Sequence, residues 1–400
     1  MSKEKLAIHG GEKVRKTPMP PRKAFGQAER ALLQEAIDYY VSRDEDPPYQ
    51  GHYEQKFCDA FSQYMGGGFT DAVASGTASV YIALAALNLP KGSEVIISPV
   101  TDSGPLNCII MQGYIPVVAD SAPGSYNMGV DQFLDRLTSK TSAILAVHSA
   151  GEPLEIDRLV KEAHKHGVKV LEDCSQCPGG RWNGQLVGTV GDIAAFSTMY
   201  RKTLTAGASG GLVWSPDLDT YRLALGHADR GKPSWRTDLD LRNPGHALFP
   251  ALNMNTDELS CAIGLASLAR LDQCVADRVA FVSRFIEALG ESRVCSPYPF
   301  HDGFSPFYYP VMVDSEKITC TKTEFALAVR AEGIGLGEHY GCLVSTWEFA
   351  QQYLSDDFDT PNARHVRDNS FNLYVNERYG EQEVEDIIQA IRKVEAWYCC

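Results

Sequence analysis

The residue with the clearest chemical potential in this sequence is a lysine in a loop rich in small residues. Lys202 lies five residues after Ser197, and the segment 205–211 that follows it reads Thr-Ala-Gly-Ala-Ser-Gly-Gly. A lone loop lysine is usually a solvated surface charge, but small neighbours let a ligand approach the backbone closely. An amine in that setting fits a Schiff-base lysine. The sequence therefore indicates covalent carbonyl chemistry at Lys202.

Two further segments combine polar side chains with the ends of apolar strands. Residues 75–79 read Ser-Gly-Thr-Ala-Ser where strand-like 71–74 meets a helical pattern. The free N–H groups of a helix start bind anions, although a tight turn with a helix cap is the alternative. Asp173 and Gln176 follow the apolar run 168–172, where open parallel sheets place their ligands. Asp173 is thus either a helix cap or an anion that pairs with a protonated ring nitrogen.

The elements that must position these residues form an alternation of short apolar runs with amphipathic ones. Apolar strands separated by helices predict a mostly parallel sheet that is covered on both faces. The last two strands follow the turn signal Asn183-Gly184 without a clear helix between them, which indicates mixed pairing at one side of the sheet. The predicted strands are 71–74, 93–99, 114–119, 142–148, 168–172, 191–197 and 210–214, and the predicted helices are 77–89, 103–112, 130–137 and 155–166.

The pattern changes after residue 215. A long helical region over 256–289, with Thr256 as its predicted N-cap, is followed by the strand-like run 307–313 and by two more helical patterns. This order indicates a second, smaller unit. The predicted domains are an N-terminal arm (1–25), a large α/β domain (26–265) and a small C-terminal α+β domain (266–400).

Composition excludes several classes of partner. The 400 residues carry 37 Lys and Arg against 51 Asp and Glu, a formal net charge of −14. That balance argues against nucleic acid, which needs a basic face. No apolar run reaches the about 20 residues of a membrane span, and the polar N-terminal residues show no secretion signal, so we expect a cytoplasmic protein with no membrane partner. The stretch 221–242 is locally net positive, and it is either a solvated loop or a flap for an anionic substrate.

The cysteines do not indicate a disulfide framework. The count is odd, 11, and the spacings are scattered. Cys174 and Cys177 form a CxxC, but no second pair accompanies it. We therefore predict reduced, structural thiols and no metal site.

Taken in order, these motifs resemble the DegT/DnrJ/StrS family of sugar aminotransferases, which are pyridoxal-phosphate (PLP) enzymes of fold type I. The resemblance runs through nearly the whole chain. It implies an α/β fold with a mixed, mostly parallel seven-stranded sheet flanked by helices, a smaller C-terminal α+β domain, and PLP as the cofactor, with pyridoxamine phosphate (PMP) in the half-reaction. The motifs that carry it are IHGG and PMPPR in the arm, then SGTAS, VHSAGEPLEID, EDCSQ, GTVGDIAAFS, RKTLTAGASGG, LNMNTDEL and VEDIIQAIRKV.

The resemblance also implies roles for individual residues. Lys202 is expected to bind the cofactor and then to shuttle the proton between the donor's Cα and the cofactor's C4′. Asp173 is expected to keep the pyridinium nitrogen protonated, so that the ring can act as an electron sink. Asn253 matches the asparagine that reaches the phosphate from the neighbouring subunit, which implies a homodimer with shared active sites. The other residues expected at the cofactor are Gly76, Thr77, Asp102, Gln176 and Ser197, and His339-Tyr340 resembles the family's segment near the substrate mouth. The sequence itself adds two candidates near the substrate. His148 ends a strand and either lines the crevice or is a satisfied core histidine, and Arg230 belongs to the net-positive stretch 221–242.

Three departures from the family pattern concern the same site. Asp102 stands where relatives have an aromatic residue that stacks on the cofactor ring, so either the ring is contacted differently or the alignment slips by one residue. Asn255 replaces an arginine of many relatives, and the loop 205–211 is one residue longer than theirs. These changes predict an acceptor pocket reshaped for a smaller or differently charged sugar.

The implied activity is transfer of an amino group from L-glutamate, or glutamine, to a keto or aldehydo sugar. The product would serve a cell-surface polysaccharide, a lipopolysaccharide or an antibiotic. The acceptor is either a non-nucleotide anionic sugar, such as an oxidised octulosonate-type acid or a 3-keto hexose phosphate, or a nucleotide-linked keto-deoxyhexose. The alternatives are a PMP-dependent sugar dehydratase of the same fold, in which the lysine is commonly replaced by histidine, and a non-catalytic sugar-binding regulator.

Overall fold

Strands and helices alternate through most of the chain. The computed structural model describes residues 4–22 and 24–399. The strands are β1 (Phe69–Val73), β2 (Glu94–Ile97), β3 (Ile115–Val118), β4 (Thr141–Val147), β5 (Lys169–Asp173), β6 (Arg181–Trp182), β7 (Gln185–Leu186), β8 (Ile193–Ser197), β9 (Gly211–Ser215), β10 (Cys295–Pro297), β11 (Tyr308–Val313), β12 (Leu336–Gly337) and β13 (Ser370–Tyr374). The helices are α1 (Gln27–Arg43), α2 (His52–Tyr64), α3 (Gly76–Ala86), α4 (Ser103–Met111), α5 (Val130–Arg136), α6 (Ile156–Lys165), α7 (Leu218–Ala228), α8 (Glu258–Leu268), α9 (Leu271–Leu289), α10 (Lys322–Ala331), α11 (Glu348–Gln351), α12 (Pro361–Asp368) and α13 (Glu381–Tyr398).

A seven-stranded sheet in the order β1-β9-β8-β5-β4-β2-β3 organises the first part of the chain. The five strands β8, β5, β4, β2 and β3 run parallel to one another, whereas β9 pairs antiparallel with both β8 and β1. Strand β4 is buried over 143–147 because helices cover both faces of the sheet. The predicted mixed, mostly parallel sheet is confirmed, and each predicted strand is present with ends within two residues.

The helices cover the sheet for reasons visible in their sequences. In α6, Ile156, Leu159, Val160 and Ala163 recur at helical spacing and are buried on one face. Helix α3 is apolar on all sides, and it is buried between the sheet, α4 and α7. The predicted Asn183-Gly184 turn joins β6 to β7 in a short hairpin.

The second part of the chain forms a four-stranded antiparallel sheet in the order β10-β11-β13-β12. Helices α9, α10 and α13 cover it, with Phe281, Phe325 and Ile387 in the shared core. The described part of the arm packs on this second unit, since Ala7 N donates to Glu332 at 2.8 Å. The domain boundaries at residues 25 and 265 remain a prediction.

The long helical region after residue 256 differs from its prediction in two details. It consists of two helices, α8 and α9, which meet at 53°. The N-cap of α8 is Asp257 rather than Thr256, because the Asp257 Oδ1 accepts from the N–H groups of Leu259 (3.0 Å) and Ser260 (2.9 Å). No single helix among the described residues is long and apolar enough to cross a bilayer, whereas the bent pair α8–α9 meets that test by length and composition alone.

Candidate active site

The carboxyl ends of β4, β5 and β8 meet beside the amino end of α3, because parallel neighbours end at the same edge of a sheet. A cavity of about 330 Å³ opens at this edge. Most of the residues predicted at the cofactor line it, together with one of those predicted at the substrate. They are Gly76, Thr77, Asp102, Asp173, Gln176, Ser197, Lys202 and Tyr340.

The amino end of α3 forms one wall of the cavity. Ser75 caps the helix, since its Oγ accepts from Ala78 N at 3.0 Å. A Cβ on Gly76 would lie 2.5 Å from Ser197 Cβ, so a glycine is needed for the end of β8 to pack against the helix start. The N–H groups of the first helical turn have no helical acceptor, and the helix dipole favours a negative charge there. With the Ser197 side chain alongside, this wall suits a phosphate.

The last residue of β5 supplies a carboxylate to the cavity. Asp173 is 3% exposed, and its Oδ1 accepts from Ser175 N at 2.9 Å. Burial raises the pKa of this carboxyl, while the hydrogen bonds from Ser175 and the charge of Lys202 act in the opposite direction. A carboxylate in such a low-dielectric setting interacts strongly with a cation brought next to it.

Lys202 supplies the amine. Its side chain is 8% exposed, and Nζ lies 4.3 Å from the centroid of the Phe307 ring. Burial lowers the pKa of this amine to about 8, against the opposing attraction of Asp173 and then Asp102. An amine with a pKa close to neutrality is unprotonated often enough to act as a nucleophile and as a proton carrier.

Gln176 and Tyr340 form a hydrogen-bonded pair at the side of the cavity. Gln176 Nε2 donates to the Tyr340 hydroxyl at 2.7 Å, and Gln176 Oε1 accepts from Ala150 N at 2.9 Å. Burial raises the pKa of Tyr340 well above its ordinary value, so the phenol stays protonated. The pair therefore offers fixed polar groups to a bound ligand.

Asp102 has a local structural role that accounts for a carboxylate at this position. It is the N-cap of α4, and its Oδ1 accepts from Gly104 N at 3.1 Å. The residue is exposed, and it lines the cavity. Asp102 therefore adds a negative group to the cavity wall, where the family pattern has an aromatic ring.

Similarity to known proteins agrees with this geometry. A profile of the DegT/DnrJ/EryC1/StrS aminotransferase family matches residues 41–392. The chain belongs to this family. It is 28% identical over 353 residues to the spore coat polysaccharide biosynthesis protein SpsC of Bacillus subtilis, a match that covers 85% of this chain and 89% of SpsC.

Two solved structures share the fold of this aminotransferase over nearly its whole length. The aminotransferase from Psychrobacter cryohalolentis is 24% identical, with a TM-score of 0.85 over 94% of this chain and 98% of that one. A GDP-4-keto-6-deoxymannose-3-dehydratase is 18% identical, with a TM-score of 0.85 over 94% of this chain and 100% of that one. The predicted fold type I architecture is confirmed.

The cofactor of this aminotransferase is PLP, and the cavity fits it chemically. The α3 wall suits the phosphate, since a Cβ at Gly76 would fill the cradle beside Ser197. Asp173 is the buried anion that a protonated ring nitrogen requires, and Lys202 is the buried amine that a Schiff base requires. These three groups come from three separate segments of the chain that the sheet edge brings together.

His148 was predicted near the substrate, but the structure places it behind the cavity wall. Its side chain is fully buried, with Nε2 3.2 Å from Glu172 Oε2 and Nδ1 accepting from Leu154 N at 3.0 Å. Both ring nitrogens are therefore already paired. His148 therefore ties the ends of β4 and β5 together from within the core.

The same cluster has the residue types of a metal site. His148, Glu172 and Cys174 are the one such group among the described residues whose donor atoms all lie within 4.8 Å of one another. The Glu172 carboxylate, however, accepts from the N–H groups of Gly188 (2.7 Å) and Gly191 (2.6 Å) as well as facing His148. This arrangement fixes the loop 188–191 to β5, which is a structural role.

Arg230 and His339 also lie outside the cavity of this chain. Arg230 Nε pairs with Asp229 Oδ1 at 2.6 Å, and the residue lines a different surface pocket. His339 is exposed, although its neighbour Tyr340 lines the cavity. Within the stretch 221–242 the arginines are paired with nearby aspartates, so in this chain the stretch does not place free positive charge at the cavity.

Asn253 is exposed on the surface rather than in the cavity of its own chain. Its Nδ2 donates to the Tyr49 hydroxyl at 3.2 Å, and its Oδ1 accepts from Asn255 Nδ2 at 2.9 Å. Apolar side chains near Asn253 in the sequence are also exposed, including Leu252 and Leu259. A contact from Asn253 to the phosphate of a second subunit remains a prediction.

The structure adds cavity residues that the sequence did not indicate. Phe307 precedes β11 and belongs to the second unit, so no local pattern connects it with Lys202. Arg201 also lines the cavity, and its position next to Lys202 in the motif RKTLTAGASGG is the signal by which the sequence could have identified it as a site residue. Among the described residues, Arg201 has no carboxylate partner; its guanidinium lies 5.4 Å from the centroid of the Tyr200 ring.

Proposed function

We propose that this aminotransferase transfers the amino group of L-glutamate, or glutamine, to a keto or aldehydo sugar in the biosynthesis of a cell-surface polysaccharide or a related amino sugar. The observation that carries the proposal is the buried Lys202 amine, which shares one cavity with the Asp173 carboxylate and the α3 phosphate wall. SpsC, a family relative, is named as a polysaccharide biosynthesis protein. That relationship supports a sugar as the acceptor.

Each residue has a distinct task in this proposal. Bound PLP supplies the electron sink for the negative charge that forms on the donor carbon. Asp173 holds the proton on the ring nitrogen, and Lys202 Nζ accepts and returns the proton that moves during transfer. The Phe307 ring excludes water from one side of Nζ, and the Gln176–Tyr340 pair orients the bound ligands.

The charges of the cavity bear on the substrates. Of the described side chains that line it, only Arg201 and Lys202 are cationic, and Lys202 is committed to the cofactor. Arg201 is therefore the group suited to a substrate carboxylate, which glutamate always carries and an anionic sugar would also carry. Asp102 disfavours a further anion close to α4. The acceptor is thus a sugar acid, a keto hexose phosphate or a nucleotide-linked keto-deoxyhexose that presents its negative group on the Arg201 side.

Half-reaction spectroscopy tests the function. The enzyme is first charged with L-glutamate, and the change from the PLP to the PMP spectrum is recorded. Keto sugars of the three classes are then added one at a time, and return of the PLP spectrum identifies the acceptor. We expect glutamate to convert the spectrum and one sugar class to restore it, whereas Lys202→Ala should do neither. Failure of both glutamate and glutamine to convert the wild-type spectrum would refute the proposal.

A second candidate, a PMP-dependent sugar dehydratase, has one specific observation in its favour. The structure of a GDP-4-keto-6-deoxymannose-3-dehydratase superposes with a TM-score of 0.85. Lys202 argues for transamination, because the dehydratase pattern commonly replaces this lysine. Product analysis separates the two activities, since the transaminase yields an amino sugar and the dehydratase a deoxy sugar with release of ammonia. The third alternative, a non-catalytic regulator, is set aside because both Lys202 and Asp173 are present in the cavity.

We also propose that the enzyme acts as a homodimer with shared active sites, in the cytoplasm. The exposed position of Asn253, beside the exposed side chains of Tyr49 and Leu252, supports a second copy docking on this surface. The described cysteines other than Cys399 are free thiols, and most of them are buried, which fits a reducing compartment. Light scattering of the purified protein tests the dimer.

A further inference from the structure

The loop that carries Lys202 is held from outside the cavity by an arginine of the N-terminal arm. Arg22 Nη1 donates to the carbonyl oxygen of Tyr200 at 3.1 Å and also to the carbonyl oxygen of Lys202 itself. These two carbonyls bracket Arg201 on the backbone. The arm thus contacts the main chain of the catalytic loop rather than its side chains.

A second arginine reaches the same loop from α9. Arg278 is 1% exposed, and its Nη1 donates to Thr203 Oγ1 and to Pro306 O, both at 3.0 Å. Thr203 follows Lys202 directly, and Pro306 precedes Phe307. The Arg278 guanidinium therefore fixes the residue after Lys202 and also the backbone that holds the Phe307 ring against Lys202 Nζ.

One carboxylate joins the two arginines. Glu377 Oε2 accepts from Arg278 Nη2 at 2.8 Å and from its Nε at 3.2 Å, and Glu377 Oε1 lies 3.6 Å from Arg22 Nε. Burial alone would raise the pKa of Glu377, but Arg278 and Arg22 lower it, so the carboxylate stays charged. A buried ion network of this kind costs desolvation energy and is weak evidence for stability. Its position around the loop of Lys202 points to a role in geometry.

We propose that Arg22, Glu377 and Arg278 are positioning residues for Lys202. Together they hold the carbonyls of Tyr200 and Lys202, the Thr203 hydroxyl and the backbone before Phe307, and so fix where Nζ lies in the cavity. The three residues join the arm, α9 and the segment after β13, which otherwise lie apart in the sequence. Within the arm, the contact to the loop of Lys202 is made by the Arg22 guanidinium. This inference rests on the proposed role of Lys202.

The variants to test are Arg22→Met, which removes both hydrogen bonds from Arg22 Nη1 to the loop, and Thr203→Val, which removes one acceptor of Arg278 at nearly constant volume. Arg378→Met is the matched control, because Arg378 donates to Pro21 O at 3.1 Å and so contacts the arm without touching the loop. The readouts are kcat and KM for glutamate, the pH titration of the bound-cofactor absorbance, the yield of borohydride-trapped cofactor at Lys202, and the melting temperature of the cofactor-free protein.

We expect Arg22→Met and Thr203→Val to shift the pH midpoint of the absorbance and to lower kcat, by about ten- to a hundredfold for Arg22→Met, since small displacements of a reacting group have effects of this size. KM should change little, and Arg378→Met should match the wild type. Arg22→Lys should recover part of kcat. A lower melting temperature with unchanged kcat and absorbance titration would overturn the proposal, as would an equal effect of Arg378→Met. If the wild type itself traps no cofactor at Lys202, the proposed function fails instead.

Discussion

Replacing Gly76 by alanine tests the phosphate wall of the cavity. The new Cβ would lie 2.5 Å from Ser197 Cβ, 2.7 Å from Ser197 Oγ and 3.2 Å from Ser197 Cα. Because these atoms belong to a short side chain and the backbone, the start of α3 and the end of β8 must move apart. Overpacking of this kind costs about 1–3 kcal/mol, which would weaken PLP binding by about 5- to 150-fold if the cost falls on the bound geometry.

The assay is titration of the cofactor-free protein with PLP, followed by quenching of protein fluorescence. The control is the double variant Gly76→Ala/Ser197→Gly, which restores the space that the new methyl group needs. We expect the double variant to bind PLP more tightly than Gly76→Ala, although it lacks the Ser197 hydroxyl. Ser197→Gly alone completes the cycle, and melting temperatures show that each variant is folded. A folded Gly76→Ala protein with wild-type PLP affinity would refute the steric reasoning.

Three further predictions concern the rest of the site. The Asp173 carboxylate raises the pKa of Lys202, so Asp173→Asn should lower that pKa. In the cofactor-free protein, the midpoint of amine labelling should move from about pH 8 to a lower pH. An unchanged or higher midpoint would contradict the electrostatic pairing of Asp173 with Lys202. Arg201→Met should raise the KM for glutamate or for the sugar about tenfold, as expected for loss of a charged hydrogen bond, and should leave the PLP affinity unchanged. Weaker PLP binding would instead place Arg201 at the cofactor phosphate. Co-expression of Lys202→Ala with Asn253→Ala should restore about a quarter of wild-type activity, because half of the dimers then carry one intact shared site, whereas no recovery would argue against sharing.

The large sheet and the core of the site could be predicted from the sequence. Ser197 ends one predicted strand, Asp173 directly follows another, and Lys202 comes five residues after Ser197. The geometry of a parallel sheet brings such strand ends together. The N-terminal helices α1 and α2 were not predicted. Helix α1 buries few side chains, Ala36 and Tyr40 among them, so its apolar stripe is too narrow to give a clear helical period.

The residues that surround the lysine could not be predicted, because their contacts are long-range. Phe307 from the second unit and Arg22 from the arm contact Lys202, and Arg278 contacts the adjacent Thr203, so no spacing in the sequence relates them. For His148 the sequence leaves a crevice position and a core position open for a similar reason. A histidine at a strand end points either into the cavity or behind it, and the pairing with Glu172 that decides this is a tertiary contact.

The central claim is that Lys202 is the amine that holds PLP and moves the proton. Borohydride reduction of the loaded enzyme, followed by proteolysis and mass spectrometry, tests it most directly. We predict that the reduced cofactor is attached to the peptide that contains Lys202, that the adduct is absent in Lys202→Ala, and that prior treatment with L-glutamate prevents its formation. Attachment of the cofactor to a different lysine, or an adduct that persists after glutamate treatment, would contradict the account.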